Sequence, residues 1–259
     1  MSIEWDVRGE VGLATINRPE RRNALDAEHC DALRAVVEAA DVRALVITGE
    51  GSAFCAGADL GTRFEDGHAP DPATDERADP FHDVLQRLLD AVVAHPVPVI
   101  AAVNGPALGA GTQLATACDL RVAAADAVFG IPAARLGIVI SAASTERIVR
   151  LVGHAVAAEM LLTATRYDAA DALRVGLVHR VVDDALADGL SWAEEIAALA
   201  PLSQRAHKRT LSLIADRGAL DPAGLAEVGD LIAEAVASDD LREGVAAFNE
   251  KRPPHFGGR

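Results

Sequence analysis

Two stretches of this sequence place small residues where a ligand could meet the backbone. They are Phe54-Cys55-Ala56-Gly57-Ala58-Asp59-Leu60 and Val103-Asn104-Gly105-Pro106-Ala107-Leu108-Gly109-Ala110-Gly111. Each pairs a short apolar run with a small-residue turn that leads into a helical pattern. Small side chains permit close approach, and helix N-termini present N–H groups with no intrahelical partner. Two such turns facing one pocket can aim two N–H donors at one carbonyl oxygen, which is an oxyanion hole. The same glycines also suit tight strand-to-helix packing, and spacing alone leaves both alternatives open.

Other site chemistries fall away. Gly49-x-Gly51 is followed by Phe54 and Gly109-x-Gly111 by Leu114, so neither completes a dinucleotide-binding GxGxxG. The chain has no GxxxxGK[ST] for phosphates, no HExxH for zinc and no GxSxG nucleophile elbow. The 8 histidines are scattered, and the 3 cysteines form no CxxC, so no metal ligand set or disulfide framework is expected.

The elements that would position the two turns follow from periodicity. Ile3 to Val7 and Val11 to Ile16 read as a hairpin around Arg8-Gly9-Glu10. Asn17-Arg18-Pro19 breaks it, and Asp26 is placed to cap a helix with Leu33, Val36 and Val37 on its apolar face. The apolar runs Val42 to Thr48 and Val97 to Val103 read as buried strands, and Cys118 to Ala123 and Ala127 to Pro132 as two more. Residues 61–82 are acidic and lack an apolar period, which predicts a surface lid. A helix is expected from about Pro80 to Ala94. Beyond residue 141 the pattern is helical except at Gly176 to Val182. The result is one α/β core with a helical C-terminal segment.

Composition narrows the function. With 259 residues and 50% hydrophobic content the chain can bury a full core, but only 9 residues are aromatic, so Ala, Val, Leu and Ile must fill it. A formal charge of -15, from 24 basic and 39 acidic residues, disfavours nucleic acid as a partner. No run of about 18 apolar residues is present to span a bilayer, and the charged N-terminus lacks a signal-peptide core. A cytoplasmic location is expected.

The two turns resemble the signatures of the crotonase superfamily, the enoyl-CoA hydratase/isomerase family. Asn17-Arg18-Pro19, Asn23-Ala24-Leu25, Cys118-Asp119-Leu120-Arg121, Phe129-Gly130, Leu136-Gly137, Ala172 to Val178 and Phe248-x-x-Lys251-Arg252 match in the same order, so the similarity spans nearly the whole chain. The resemblance implies an α/β crotonase (ClpP/crotonase-like) fold, a spiral of ββα turns with a helical C-terminal trimerisation region. Residues 1–190 would form the core with an acyl-CoA pocket, and residues 191–259 the oligomerisation segment of a homotrimer or dimer of trimers. It implies the backbone N–H groups of Ala58 and Ala110 as oxyanion-hole donors, with alanine at 110 where glycine is common in the family. The CoA moiety is expected against Arg22, Ala24, Ala56, Asp59 and Leu60, with Phe248 and Lys251 contributed by a neighbouring subunit. No separate cofactor and no metal is implied.

The chain departs from that pattern where proton transfer is done. Hydratases of the family use two glutamates, but here Gln113 and Ala133 occupy those positions. An amide can hold a water yet cannot take a proton at neutral pH, and a methyl group can do neither. Ser141 stands where a dienoyl isomerase would carry an acid, Arg135 to Thr145 contains no Asp or Glu, and Glu146 is expected on the surface. Lid acids between Glu65 and Asp83 could reach the pocket only by folding over it. In this the chain resembles an actinobacterial paralogue without either catalytic glutamate. Two functions remain open: an acyl-CoA carrier or sensor that hands chains to lipid-synthesis enzymes, and an enoyl-CoA hydratase or isomerase using non-standard groups.

Overall fold

The computed structural model describes residues 2–63, 80–217 and 220–259, and side chains within these except at 62, 63, 80, 216 and 217. The hairpin forms as expected: β1 (Ile3–Arg8) pairs antiparallel with β2 (Val11–Ile16). Asp26 caps α1 (Ala27–Ala39) by accepting from the His29 N–H at 3.0 Å, and its carboxylate also lies 2.6 Å from His29 Nδ1. Then come β3 (Ala44–Gly49), the single-turn helix α2 (Leu60–Arg63), α3 (Pro80–Ala94) and β4 (Val99–Val103). The expected lid at 61–82 lies largely outside the described residues.

The second turn carries β5 (Ala107–Leu108) into α4 (Ala110–Ala117), followed by β6 (Leu120–Ala124), β7 (Val128–Gly130) and α5 (Ala142–Thr163). The stretch read as helical beyond 141 also holds β8 (Tyr167–Asp168), whose two residues are too few to show a period. It pairs with β7, giving a small sheet of order β5-β7-β8. After α6 (Ala169–Arg174), β9 (Arg180–Val182) completes a main sheet of order β1-β2-β3-β4-β6-β9, parallel from β2 onward.

Strand alternation divides the core in two. Leu45, Ile47, Val99, Ala101 and Ala123 face α1, α3, α4 and α5, whereas Ala44, Val46, Ile100, Ala102 and Val122 face α7 (Ala185–Ala197). Gly189 of α7 lies so close to the sheet that a Cβ there would sit 3.1 Å from the Ala102 methyl. Small residues on both surfaces thus bring helix and sheet together where few aromatics fill space. The division expected after residue 190 falls inside α7. The helices α8 (Pro201–Arg217), α9 (Pro222–Ala237) and α10 (Asp239–Glu250) follow and pack chiefly in sequence, α8 on α9 and α9 on α10.

Candidate active site

The two small-residue turns lie side by side because short parallel bridges hold them. Cys55 bridges Ala107: its N–H donates to the Pro106 carbonyl at 3.2 Å, and its carbonyl accepts from the Leu108 N–H at 2.9 Å. Leu25 bridges Ala58 from the other direction, donating to the Gly57 carbonyl and accepting from the Asp59 N–H. In that pattern the flanking groups are used and the Ala58 N–H is left over. Ala110 opens α4, and its N–H is one of the four that a helix cannot satisfy internally. Among the described residues no backbone carbonyl takes up either N–H.

Two glycines make this approach possible. Gly57 has φ +115°, and a Cβ there would lie 3.0 Å from the Leu108 carbonyl oxygen. At Gly111 a Cβ would fall 2.1 Å from the Cys55 carbonyl oxygen. The packing and functional alternatives are therefore compatible: the glycines pack the two turns together, and that packing brings Ala58 and Ala110 to one region.

Side-chain amides secure the same region. Asn23 is fully buried, with Nδ2 donating to the carbonyls of Glu50 at 2.8 Å and Ala53 at 2.6 Å while Oδ1 accepts from the Arg18 N–H at 2.8 Å. Asn104 donates to the carbonyls of Gly49 and Gly51 and accepts from the Gly49 N–H. The Thr112 hydroxyl donates to the Ala107 carbonyl at 2.6 Å and accepts from the Gly130 N–H at 3.1 Å, pinning α4 to the small sheet. Each bond replaces water at a backbone group that strand or helix geometry leaves unpaired.

A cavity of about 170 Å³ opens in front of the two turns. Ala56, Gly57, Ala58, Leu60, Gly109 and Ala110 line it, so the residues of both expected donors border one space. Gln113 and Ala133 border it too, together with Phe81, Leu85, Ile131 and the apolar segment Leu136 to Ile140. Among the described lining residues none is Asp or Glu, and the one ionisable side chain is His82 of α3. Sequence reasoning passed over His82. Its register was the available signal, since it lies one turn before Leu85 on the expected helix.

The remaining expected residues are placed as follows. Asp59 turns its carboxylate inward, 2.9 Å from the Arg18 guanidinium, and accepts from the Gly61 N–H at 3.0 Å, so it braces the turn. Arg22 is exposed in a left-handed conformation, with its carbonyl accepting from the Ala56 N–H at 2.9 Å, and Ala24 is half-buried beside it. Phe248, 85% exposed, borders a second cavity between the start of α8, α10 and the C-terminal tail. Lys251 ends α10, and neither residue lines the first cavity. Ser141 caps α5 by accepting from the Ser144 N–H. Glu146 is exposed and paired with Arg150 at 2.5 Å, as expected of a surface residue. The acids from Glu65 to Asp79 lie outside the described residues, and Asp83 is exposed.

Cys55, directly behind the first turn, is not poised as a nucleophile. Burial pushes its thiol up to about 12, and burial does the same to Cys118. Among the described residues no cluster of His, Cys, Asp and Glu has the arrangement of a metal site, and no helix is long and apolar enough to cross a membrane.

The chain is similar to known proteins over nearly its whole length. Residues 6–259 match the model of the family described as "Enoyl-CoA hydratase/isomerase". The chain is 44% identical over 246 residues to "Probable enoyl-CoA hydratase echA6" of Mycobacterium bovis, covering 94% of each. It is 38% identical to the 2,3-dehydroadipyl-CoA hydratase of Escherichia coli, covering 96% of each. Among solved structures, an enoyl-CoA hydratase from Bacillus anthracis superimposes with a TM-score of 0.90 at 32% identity, covering 100% of both chains.

Proposed function

We propose that this chain, which belongs to the enoyl-CoA hydratase/isomerase family, binds an acyl-CoA thioester and polarises its carbonyl without efficiently hydrating a neighbouring double bond. The lining of the cavity carries this reading. Ala58 and Ala110, whose N–H groups no backbone carbonyl takes up among the described residues, border it, and no carboxylate does among those residues.

Magnitudes favour binding over hydration. A positioned acid or base contributes about 10²–10⁴ in rate, and an oxyanion-hole donor about 10²–10³. Hydration needs a base to activate water and an acid to protonate the α-carbon. Gln113 and Ala133 supply neither. The thioester oxygen would lie between the N–H groups of Ala58 and Ala110, and the acyl chain along Phe81, Leu85, Ile131 and the 136–140 segment. That wall suits a medium or long apolar chain. The CoA portion would lie along Arg22, Ala24, Ala56, Asp59 and Leu60. Such a protein serves fatty-acid and lipid metabolism as a carrier that passes acyl chains to lipid-synthesis enzymes.

Calorimetric titration with acyl-CoA and a crotonyl-CoA hydration assay on the same sample test the reading. Saturable binding with turnover at background is expected. Turnover in the usual enzyme range, about 1–10³ s⁻¹, would overturn it and place an acid from the lid in the pocket.

The C-terminal helices support assembly into a trimer or a dimer of trimers. Leu211, Ile232, Val236 and Phe248 all leave large apolar side chains exposed on α8, α9 and α10. Assembly would bring Phe248 and Lys251 to a neighbour's CoA site. Light scattering should return at least three times the monomer mass; a monomer would remove this role for both residues.

A further inference from the structure

His82 is the ionisable side chain that borders the cavity among the described residues. Its position on α3 is fixed by the helix register. Phe81, Val84, Leu85, Leu88, Leu89 and Val92 are buried, whereas Asp83, Arg87 and Asp90 are exposed. His82 lies between these faces and is half-buried, three residues before Leu85, which borders the same cavity. His82 thus lines one largely apolar cavity with Ala58, Ala110 and Gln113, and with no carboxylate among the described lining residues.

We propose that His82 is a proton-transfer residue of this pocket, exchanging the α-hydrogens of a bound acyl thioester through its enolate. The inference rests on the acyl-CoA reading above. The neutral ring nitrogen takes the proton from the carbon next to the carbonyl. The electron pair of that C–H bond forms the new C–C double bond, and the carbonyl π pair moves to oxygen. The enolate oxygen is held by the Ala58 and Ala110 N–H groups, where developing negative charge is stabilised. The imidazolium exchanges its proton with solvent and returns one to carbon. One base suffices for this step, whereas hydration also requires a positioned water and its activation. Gln113 can hold a water without competing for the proton.

The test uses octanoyl-CoA in D2O, with deuterium uptake at the α-carbon followed by mass spectrometry and proton NMR. Wild type, His82→Gln and His82→Glu are compared, and octanoyl-CoA affinity is measured for each by calorimetry. Gln and Glu have the same shape and differ in the ability to accept a proton. Expected are uptake by wild type, a drop of about 10²-fold or more in His82→Gln, and His82→Glu within about tenfold of wild type, with affinities within about threefold. Equal uptake in wild type and His82→Gln overturns the proposal. So does wild-type uptake no faster than the protein-free rate while octanoyl-CoA is bound, a result that leaves the binding reading intact. Loss of binding together with uptake in His82→Gln also overturns it, reducing His82 to a contact residue. If wild type binds no octanoyl-CoA, both the binding reading and this proposal fail.

Discussion

Asn23, behind the backbone wall of the cavity, is fully buried and engages its carboxamide with three partners: the carbonyls of Glu50 and Ala53 and the N–H of Arg18. Gln113, on the side-chain wall, is almost as buried, yet its carboxamide makes no hydrogen bond to any described residue. The contrast extends to their surroundings. Behind Asn23 stand Asn104, Thr112 and the Arg18–Asp59 ion pair, each fixing a strand end or turn. Around Gln113 stand Ala133, Ile131 and the apolar 136–140 segment. The groups proposed to polarise a carbonyl are backbone and heavily braced. The positions where the family carries proton-transferring glutamates are side chains, and under the proposed reading they hold Gln113 and Ala133, with no carboxylate among the described lining residues. A backbone N–H can persist through almost any substitution at its own residue, whereas a catalytic carboxylate is removed by one.

The strongest way to break this contrast is at the point where the two turns touch. Gly111→Ala places a Cβ that would fall 2.1 Å from the Cys55 carbonyl oxygen, a backbone atom that cannot move alone. We expect a loss of about 3 kcal/mol or more, or roughly 6–12 °C in Tm for a chain of this size, and loss of acyl-CoA binding. Thermal unfolding and calorimetry would show it. A variant with unchanged Tm and affinity would mean that the turns are not held by this contact.

Asn23→Ala should come next. It leaves two carbonyls and one N–H without a side-chain partner and places alanine at φ +58°. The expected cost is about 2–3 kcal/mol, read as a lower denaturation midpoint at unchanged m-value. Weaker acyl-CoA binding should accompany it, because the first turn loses its brace. Stability within about 0.5 kcal/mol of wild type would show that water replaces the amide without loss.

Legibility in the sequence follows the same division. The turns could be read because a glycine that must meet a neighbouring backbone leaves a mark at its own position, as Gly57 and Gly111 do. Strands β3 and β4 could be read because burial on both faces makes them apolar throughout. The two-residue β8 could not, because its pairing with β7 is a long-range choice with no local period. Asp59 illustrates a different difficulty. Its ion pair with Arg18, 41 positions away along the chain, leaves no local signal in the sequence. His82 was missed because a single histidine at the start of a helix resembles any other until the cavity is formed.

Gln113→Met offers the smallest and sharpest test. Methionine nearly matches glutamine in length and volume, so the change removes the amide and little else. If Gln113 were a structural amide like Asn23, its loss would strand partners and cost a similar 2–3 kcal/mol. No described residue donates to or accepts from its side chain, so none of these is stranded. The N–H groups proposed to polarise the thioester belong to Ala58 and Ala110 and are unaffected by the substitution. Stability should therefore change by less than about 0.5 kcal/mol, as for substitutions away from any bonded network, and acyl-CoA affinity by less than about threefold. Denaturation and calorimetry on Gln113→Met beside Asn23→Ala measure the two carboxamides on one scale. A cost at Gln113 equal to that at Asn23 would show that both walls are braced alike, and the contrast between them would be lost.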